Sequence, residues 1–363
     1  MKNLFLTFLM LAGFSVFADD LYVNSSGLEG TYYTIQEAVN AASSGDNIYI
    51  STVGTFSEDV TIDKTVFLIA GVPDELFTLA GDILISNNTP GIEVTVIGLN
   101  NGSVKANNTN SSTKIIVNII SSLVSEIYGN DGFEFNVYDC EVYNNFQISN
   151  GQVKGSIVDI LSIKEDGSSV YSSDTIKIMG NQLGAINWSN NDEHYFEICN
   201  NYLSGSSLSN SSKIYIGYWR TTSGGTNLIS NNTINGGSVS DAGIEFYGST
   251  DGQNLVVCNN YIYLAYSASY SNDYAIKGGS ISNAFIANNY CDAGVGSQTS
   301  NDIYGFTNSS VVDNVFNQNY TMSSTGSLSG GQEAGLDWIE FRDIDNTIND
   351  IGTTGGPHAW SNY

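Results

Sequence analysis

One phrase returns along this chain and limits what it can fold into. It reads Ile198-Cys199-Asn200-Asn201-Tyr202, then Ile229-Ser230-Asn231-Asn232-Thr233, Val257-Cys258-Asn259-Asn260-Tyr261 and Ile286-Ala287-Asn288-Asn289-Tyr290. Weaker copies, Ile178-Met179-Gly180-Asn181 and Val311-Val312-Asp313-Asn314, flank these. Continued back through the chain, the copies begin at 97, 117, 137, 157, 178, 198, 229, 257, 286 and 311. The interval holds near twenty residues, then swells to between 25 and 31 while the phrase persists. A steady period that later lengthens is the mark of a solenoid with loop insertions. The Asn pairs read as structural. Asn tolerates left-handed backbone, and its amide can bond the same group one rung away, making a ladder along the axis.

Charge narrows the partners. The chain has 363 residues, 37 acidic against 11 basic, and a formal net charge of −26. Such a surface lacks the basic footprint needed to neutralise phosphates, which excludes nucleic acid and anionic membranes as expected partners. Charged residues are only 13% of the chain, and 22 Tyr with 16 Phe supply a core, so the acidity does not signal disorder.

Residues 1–18 read as a secretory leader. Lys2 is the positive end, Leu4 to Phe14 the apolar run, and Val16-Phe17-Ala18 a small-residue cleavage site with the cut after Ala18. No later run reaches the ~20 apolar residues of a membrane span. The expected product is exported, soluble and monomeric. Export permits disulfides. Yet Cys199 and Cys258 share one repeat position with Ser230 between them, so two rungs, roughly 9–10 Å, separate them, too far to bridge. Cys140 and Cys291 fall at other repeat positions, and four free, buried thiols are expected.

The segment after the leader carries a family resemblance. Tyr33-Thr34-Ile35-Gln36-Glu37-Ala38-Val39-Asn40-Ala41-Ala42 predicts a short amphipathic helix with Thr34 as N-cap and Ile35, Ala38, Val39 and Ala42 on one face. Gly45-Asp46, the strand Asn47 to Ile50, Gly54-Thr55-Phe56 and the alternating run from Glu58 to Leu68 follow. This order resembles the N-terminal cap of pectate-lyase-like right-handed parallel β-helices. The resemblance implies an all-β fold, a right-handed parallel β-helix with a short N-terminal capping helix, and implies no particular activity. The expected divisions are 19–72 for the cap and first rungs, 73–325 for the β-helix and 326–363 for a C-terminal capping segment. Between Val72 and Gln182 the rungs are lean, with strands expected at 93–99, 114–120, 133–140, 153–160 and 175–179, and no cluster there suggests chemistry.

Beyond Leu183 a second row emerges between the Asn phrases: Ile186-Asn187-Trp188, Ile214-Tyr215-Ile216, Ile244-Glu245-Phe246, Ile276-Lys277-Gly278 and Ile303-Tyr304-Gly305. With the Ile residues inward, alternation turns Asn187, Tyr215, Glu245, Lys277 and Tyr304 outward in one column. Inserted segments lie on both sides of this strand and would wall it into a groove. In the pectate-lyase-like fold the substrate cleft occupies this face. Two readings of Glu245 and Lys277 stand side by side. One is a cross-strand ion pair of small energy. The other makes Lys277 a base that takes the proton beside a uronate carboxylate, with Glu245 orienting it or holding a cation, as the resemblance to Ca²⁺-using lyases of this fold implies. Asn187, Tyr215, Trp219, Arg220, Tyr247 and Tyr304 are the candidate substrate contacts. Tyrosine and tryptophan planes would stack on sugar rings, and Arg220 would pair a carboxylate in two-pronged fashion.

Polygalacturonase-like and pectin-methylesterase-like signatures are missing, and His194 and His358 have no evident partner. In the tail, Asp343, Asp345, Asn349 and Asp350 gather oxygen ligands of the kind Ca²⁺ prefers, though without the EF-hand glycine and terminal Glu. The function expected is that of an exported, non-catalytic β-helix protein that binds polysaccharide or belongs to the cell surface. The alternative is a polysaccharide lyase or related enzyme acting on uronate-containing glycans.

Overall fold

A computed structural model describes residues 18–316, except 87–90, 107–113, 131, 165–174, 190–193, 206–211, 222–224, 237–241, 249–250, 265–273 and 293–301. The leader up to residue 17 and the tail from residue 317, with Asp343, Asp345, Asn349, Asp350 and His358, lie outside the described residues.

The chain winds through three columns of parallel strands. The first is a 13-stranded sheet that begins at Asp20–Val23 and ends at Ser310–Val312. The second follows each Asn turn, as in Tyr202–Ser204, Thr233–Asn235 and Tyr261–Tyr263. The third holds Ile214–Ile216, Ala242–Phe246, Tyr274–Ser282 and Ile303–Thr307. The second and third columns count as one sheet because Ile157–Ile163 and Gln182–Trp188 run unbroken through the corner between them. This is a parallel β-helix. Ile, Val, Leu and Phe from all three columns fill its interior, for instance Ile198, Ile229 and Val257 from the first and Ile214, Ile244 and Ile276 from the third. No helix among the described residues is long and apolar enough to cross a membrane.

The capping helix α1 spans Ile35–Ala41. Thr34 and Glu37 form a reciprocal capping box. The Glu58 carboxylate, from a neighbouring turn, accepts the N–H groups of Ile35 and Gln36 at 2.8 and 3.0 Å. These acceptors satisfy the orphan donors of the first helical turn. Ile35, Ala38 and Val39 are buried, and the helix packs on strands Asp20–Val23, Asp46–Ile50 and Val60–Ile62.

The two residues of each Asn pair divide the work. The first holds the left-handed turn, with φ of 58° at Asn200, 56° at Asn231, 58° at Asn259 and 54° at Asn288. The second points inside and builds the ladder. Asn201 donates both its backbone N–H and its Nδ2 to Oδ1 of Asn232, at 3.0 and 2.9 Å. Asn181, Asn232, Asn260 and Asn289 repeat this bond toward the next rung. The same Nδ2 also reaches back to a main-chain carbonyl one rung below, Ile178 for Asn201 and Ile198 for Asn232. Oδ1 thus accepts two bonds from below while Nδ2 donates both up and down, so a fully buried amide is satisfied. In the leaner rungs Ser156, Cys140 and Ser122 take the inner position, and the Asn181 Oδ1 accepts the Ser156 N–H at 2.9 Å.

The early rungs depart from the expected period. Their left-handed corners fall at Gly98, Ser121, Asp139, Gly155 and Gly180, spaced by 23, 18, 16 and 25 residues, not by twenty. The strand expected at 153–160 is likewise two strands, Gly151–Lys154 and Ile157–Ile163, with Gly155 turning the chain between them. Apolar spacing alone does not mark a corner whose residue is Gly, Ser or Asp. All four cysteines are free and buried. Burial pushes the thiols of Cys140 and Cys199 up to about 12. They act as apolar filler.

Candidate functional site

The outward column of the third face forms as the alternation dictates. Asn187 pairs in register with Tyr215, Tyr215 with Glu245, Glu245 with Lys277 and Lys277 with Tyr304. Parallel strands set neighbouring members about 4.8 Å apart. At the centre, Lys277 Nζ donates to Glu245 Oε1 at 2.8 Å, and the Ser212 hydroxyl donates to Oε2 at 2.6 Å. Both carboxylate oxygens are therefore engaged, and Glu245 is only 7% exposed. The ion pair is held from below by a serine one rung earlier, which gives it a fixed geometry.

Tyrosines flank the pair. The rings of Tyr215 and Tyr247 lie 6.4 Å apart at 32°, and those of Tyr274 and Tyr304 stack at 4.9 Å and 21°. Tyr247 and Tyr304 are 65% and 55% exposed, open enough to receive a planar ligand. Tyr247 sits outward one alternation beyond Glu245, between Gly217 and Gly279 on the adjoining rungs. An added methyl at Gly279 would lie 2.8 Å from the Tyr247 carbonyl. Beyond Lys277 the register slips before Ile281, a bulge that passes through Gly278, Gly279 and Ser280. Bulges re-aim side chains where they occur. Within the same corner Lys213 is buried and donates to the carbonyls of Gly184 and Gly205. Burial pulls its pKa down.

Trp219 is not on this face. It is 2% exposed, and its ring meets Phe246 edge-on at 5.4 Å. It follows the strand, where alternation no longer sets direction, and the core claims the large apolar ring. A sugar cannot stack on it. Arg220 lies half-buried over the Tyr195 ring at 5.7 Å, a cation–π contact. Its place is at the wall, and beyond Asn187 the column continues into the leaner rungs, where Asn187 pairs in register with Ser162. His194, read as a turn residue with no evident partner, is 1% exposed. Most of the inserted segments preceding the strand, with Tyr266 and Tyr270, lie outside the described residues. Among the described residues no group of three or more His, Cys, Asp or Glu is placed to hold a metal ion.

Sequence reasoning found no chemistry in the lean rungs, and it passed over a polar row there. On the outer side of the first column, Asn118 Nδ2 donates to Thr95 Oγ1, Asn136 Nδ2 to Asn118 Oδ1 and Gln152 Nε2 to Asn136 Oδ1, at 3.0–3.1 Å. The signal available was an amide at each of three successive outward positions. Uneven rung lengths hid it.

No family model, curated protein or solved structure matches the chain.

Proposed function

We propose that this is an exported, non-catalytic parallel β-helix protein whose third face binds polysaccharide. The observation that carries the reading is the pair of open tyrosine rings, Tyr247 and Tyr304, with half-buried Tyr215 beside them, set around a fixed Glu245–Lys277 pair. A sugar ring offers an apolar face to an aromatic plane and hydroxyls to the charged groups beside it. The strip runs along the axis, so an extended glycan meets equivalent rungs in succession. The leader at residues 1–18 supports export to the medium or the cell surface, and the −26 charge argues against phosphate polymers.

A lyase is the competing reading, and its support is the contact between Lys277 and Glu245. A general base needs an open lone pair, whereas Lys277 here directs an N–H into a carboxylate at 2.8 Å. The arrangement favours binding. The test is retardation of the mature protein in gels containing pectate, alginate or neutral glucans, with Tyr247→Ala and Tyr304→Ala as variants. Retardation on at least one glycan that both variants weaken is the expected result. Release of unsaturated ends, followed by ultraviolet absorbance and abolished by Lys277→Ala, would replace binding by catalysis.

A further inference from the structure

A second recess lies on the opposite kind of surface, the outer side of the first column. It measures about 280 Å³ and is lined by Lys114, Glu134, Asn136, Asn150, Gly151, Gln152, Thr175 and Lys177. Its origin is local. The strands Phe133–Tyr138 and Thr175–Met179 are longer than Gly151–Lys154 between them. Asn150, which stands where an outward side chain would fill the row, folds back so that its Oδ1 accepts the N–H of Gly151 at 2.7 Å. Gly151 forms the floor with φ of 121°, and a Cβ there would sit 1.9 Å from the Phe135 carbonyl oxygen. Only glycine fits. A notch is left one rung wide.

The chain carries 11 basic residues, yet two lysines flank this one notch. Lys114 pairs with Glu134, and Lys177 with Glu197 at 3.2 Å just outside. The lining carries two positive charges and one negative, and Glu197 beside it balances the second lysine, so an anion here takes the place of a carboxylate at each ammonium group. Polar atoms remain open between them. The amide row Thr95–Asn118–Asn136–Gln152 passes its amide-to-amide bonds toward the earlier rungs, so Gln152 Oε1 is left as an acceptor at the notch. Neither that oxygen nor the Thr175 hydroxyl has a partner among the described residues. The volume is near the lower bound of about 300 Å³ for small-molecule pockets, which suits one ring and not a polymer.

We infer that this notch is a second binding site, for a single anionic monosaccharide. Its carboxylate or phosphate group bridges Lys114 and Lys177, and its hydroxyls meet Gln152 Oε1 and Thr175. The site stands on residues separate from the third-face tyrosines, so it does not depend on the polysaccharide reading. Isothermal titration of the full mature chain with glucuronate and with glucose 6-phosphate, against glucose as the neutral control, tests it. Saturable binding of at least one anion, none of glucose, and weakening by added salt are expected. Lys114→Gln and Lys177→Gln should each weaken binding by about tenfold or more, as loss of a charge-assisted hydrogen bond does. Unchanged thermal unfolding of both variants would show that they fold, and Tyr247→Ala should bind as the parent does. Equal binding of glucose, no saturable binding of either anion, or full binding in the double lysine variant would overturn the site. The two anions also separate carboxylate from phosphate recognition.

Discussion

Each Asn pair combines two chemical demands that a single residue cannot meet. The turn residue supplies a left-handed backbone, which Gly155 and Gly180 give in leaner rungs. The inner residue of the longer rungs supplies two donors and two acceptor sites at once, which an amide offers and the Ser or Cys of the leaner rungs does not. Asn232→Ala would leave Asn201 N–H and Nδ2 without their acceptor and the Ile198 carbonyl without its donor. Several buried groups at about 1–3 kcal/mol each predict a loss of about 3 kcal/mol or more in chemical denaturation. Asn259→Gly keeps the turn and should cost about 1 kcal/mol or less, the entropic penalty of glycine. A larger loss for the turn residue than for the inner one would contradict this division. Asp302 adds a pH dependence. Burial, with Asp292 nearby, raises its carboxyl from 3.8 to about 6. The folded protein then holds a proton that the unfolded chain releases, so its contribution is present below about pH 4 and is lost as pH rises through 6. Asp302→Asn should melt close to the parent at pH 3.5 and increasingly above it from pH 4 to 6, as followed by thermal unfolding.

At the level of strands, close approach of neighbouring rungs decides which positions accept change. Gly305 has φ of 81°, and an added Cβ would fall 1.8 Å from the Gly278 carbonyl oxygen. Gly305→Ala must part the third column beside Tyr304, at a predicted cost of about 2 kcal/mol or more. Glycan retardation should weaken in the same variant, because the Tyr304–Tyr274 stack moves with the strand. The third-face column was legible because Ile-x-Ile alternation carries direction along a strand. Tyr215, Glu245, Lys277 and Tyr304 therefore fell where the pattern put them. Trp219 was not, since the period of two ends with the strand and packing takes over. The notch on the first face was also hidden. It depends on Asn150 bonding its own neighbour's N–H, a choice that no periodicity encodes.

For the whole cylinder, charge and stacking act in opposite senses. A net −26 spread over repeated rungs repels itself, and counter-ions relieve that repulsion. The melting temperature should therefore climb between low salt and about 0.15 M, where the screening length is about 8 Å. A fall with added salt would show that ion pairs such as Lys277–Glu245 outweigh the repulsion. The amide ladder has a further consequence, because its Asn-to-Asn bonds all point one way. Each rung's Asn gives its N–H and one Nδ2 proton to the Asn of the rung after it, receives through Oδ1 from the Asn of the rung before, and sends only its other Nδ2 proton back, to a main-chain carbonyl. Peeling a rung from the N-terminal side of the ladder bares the Oδ1 acceptor and takes one carbonyl from Nδ2, while the backbone N–H and the forward Nδ2 bond stay made. Peeling one from the C-terminal side strands two donors, the rarer and costlier defect. The stack thus has a grain, like split wood, and unravels more easily from one end than from the other.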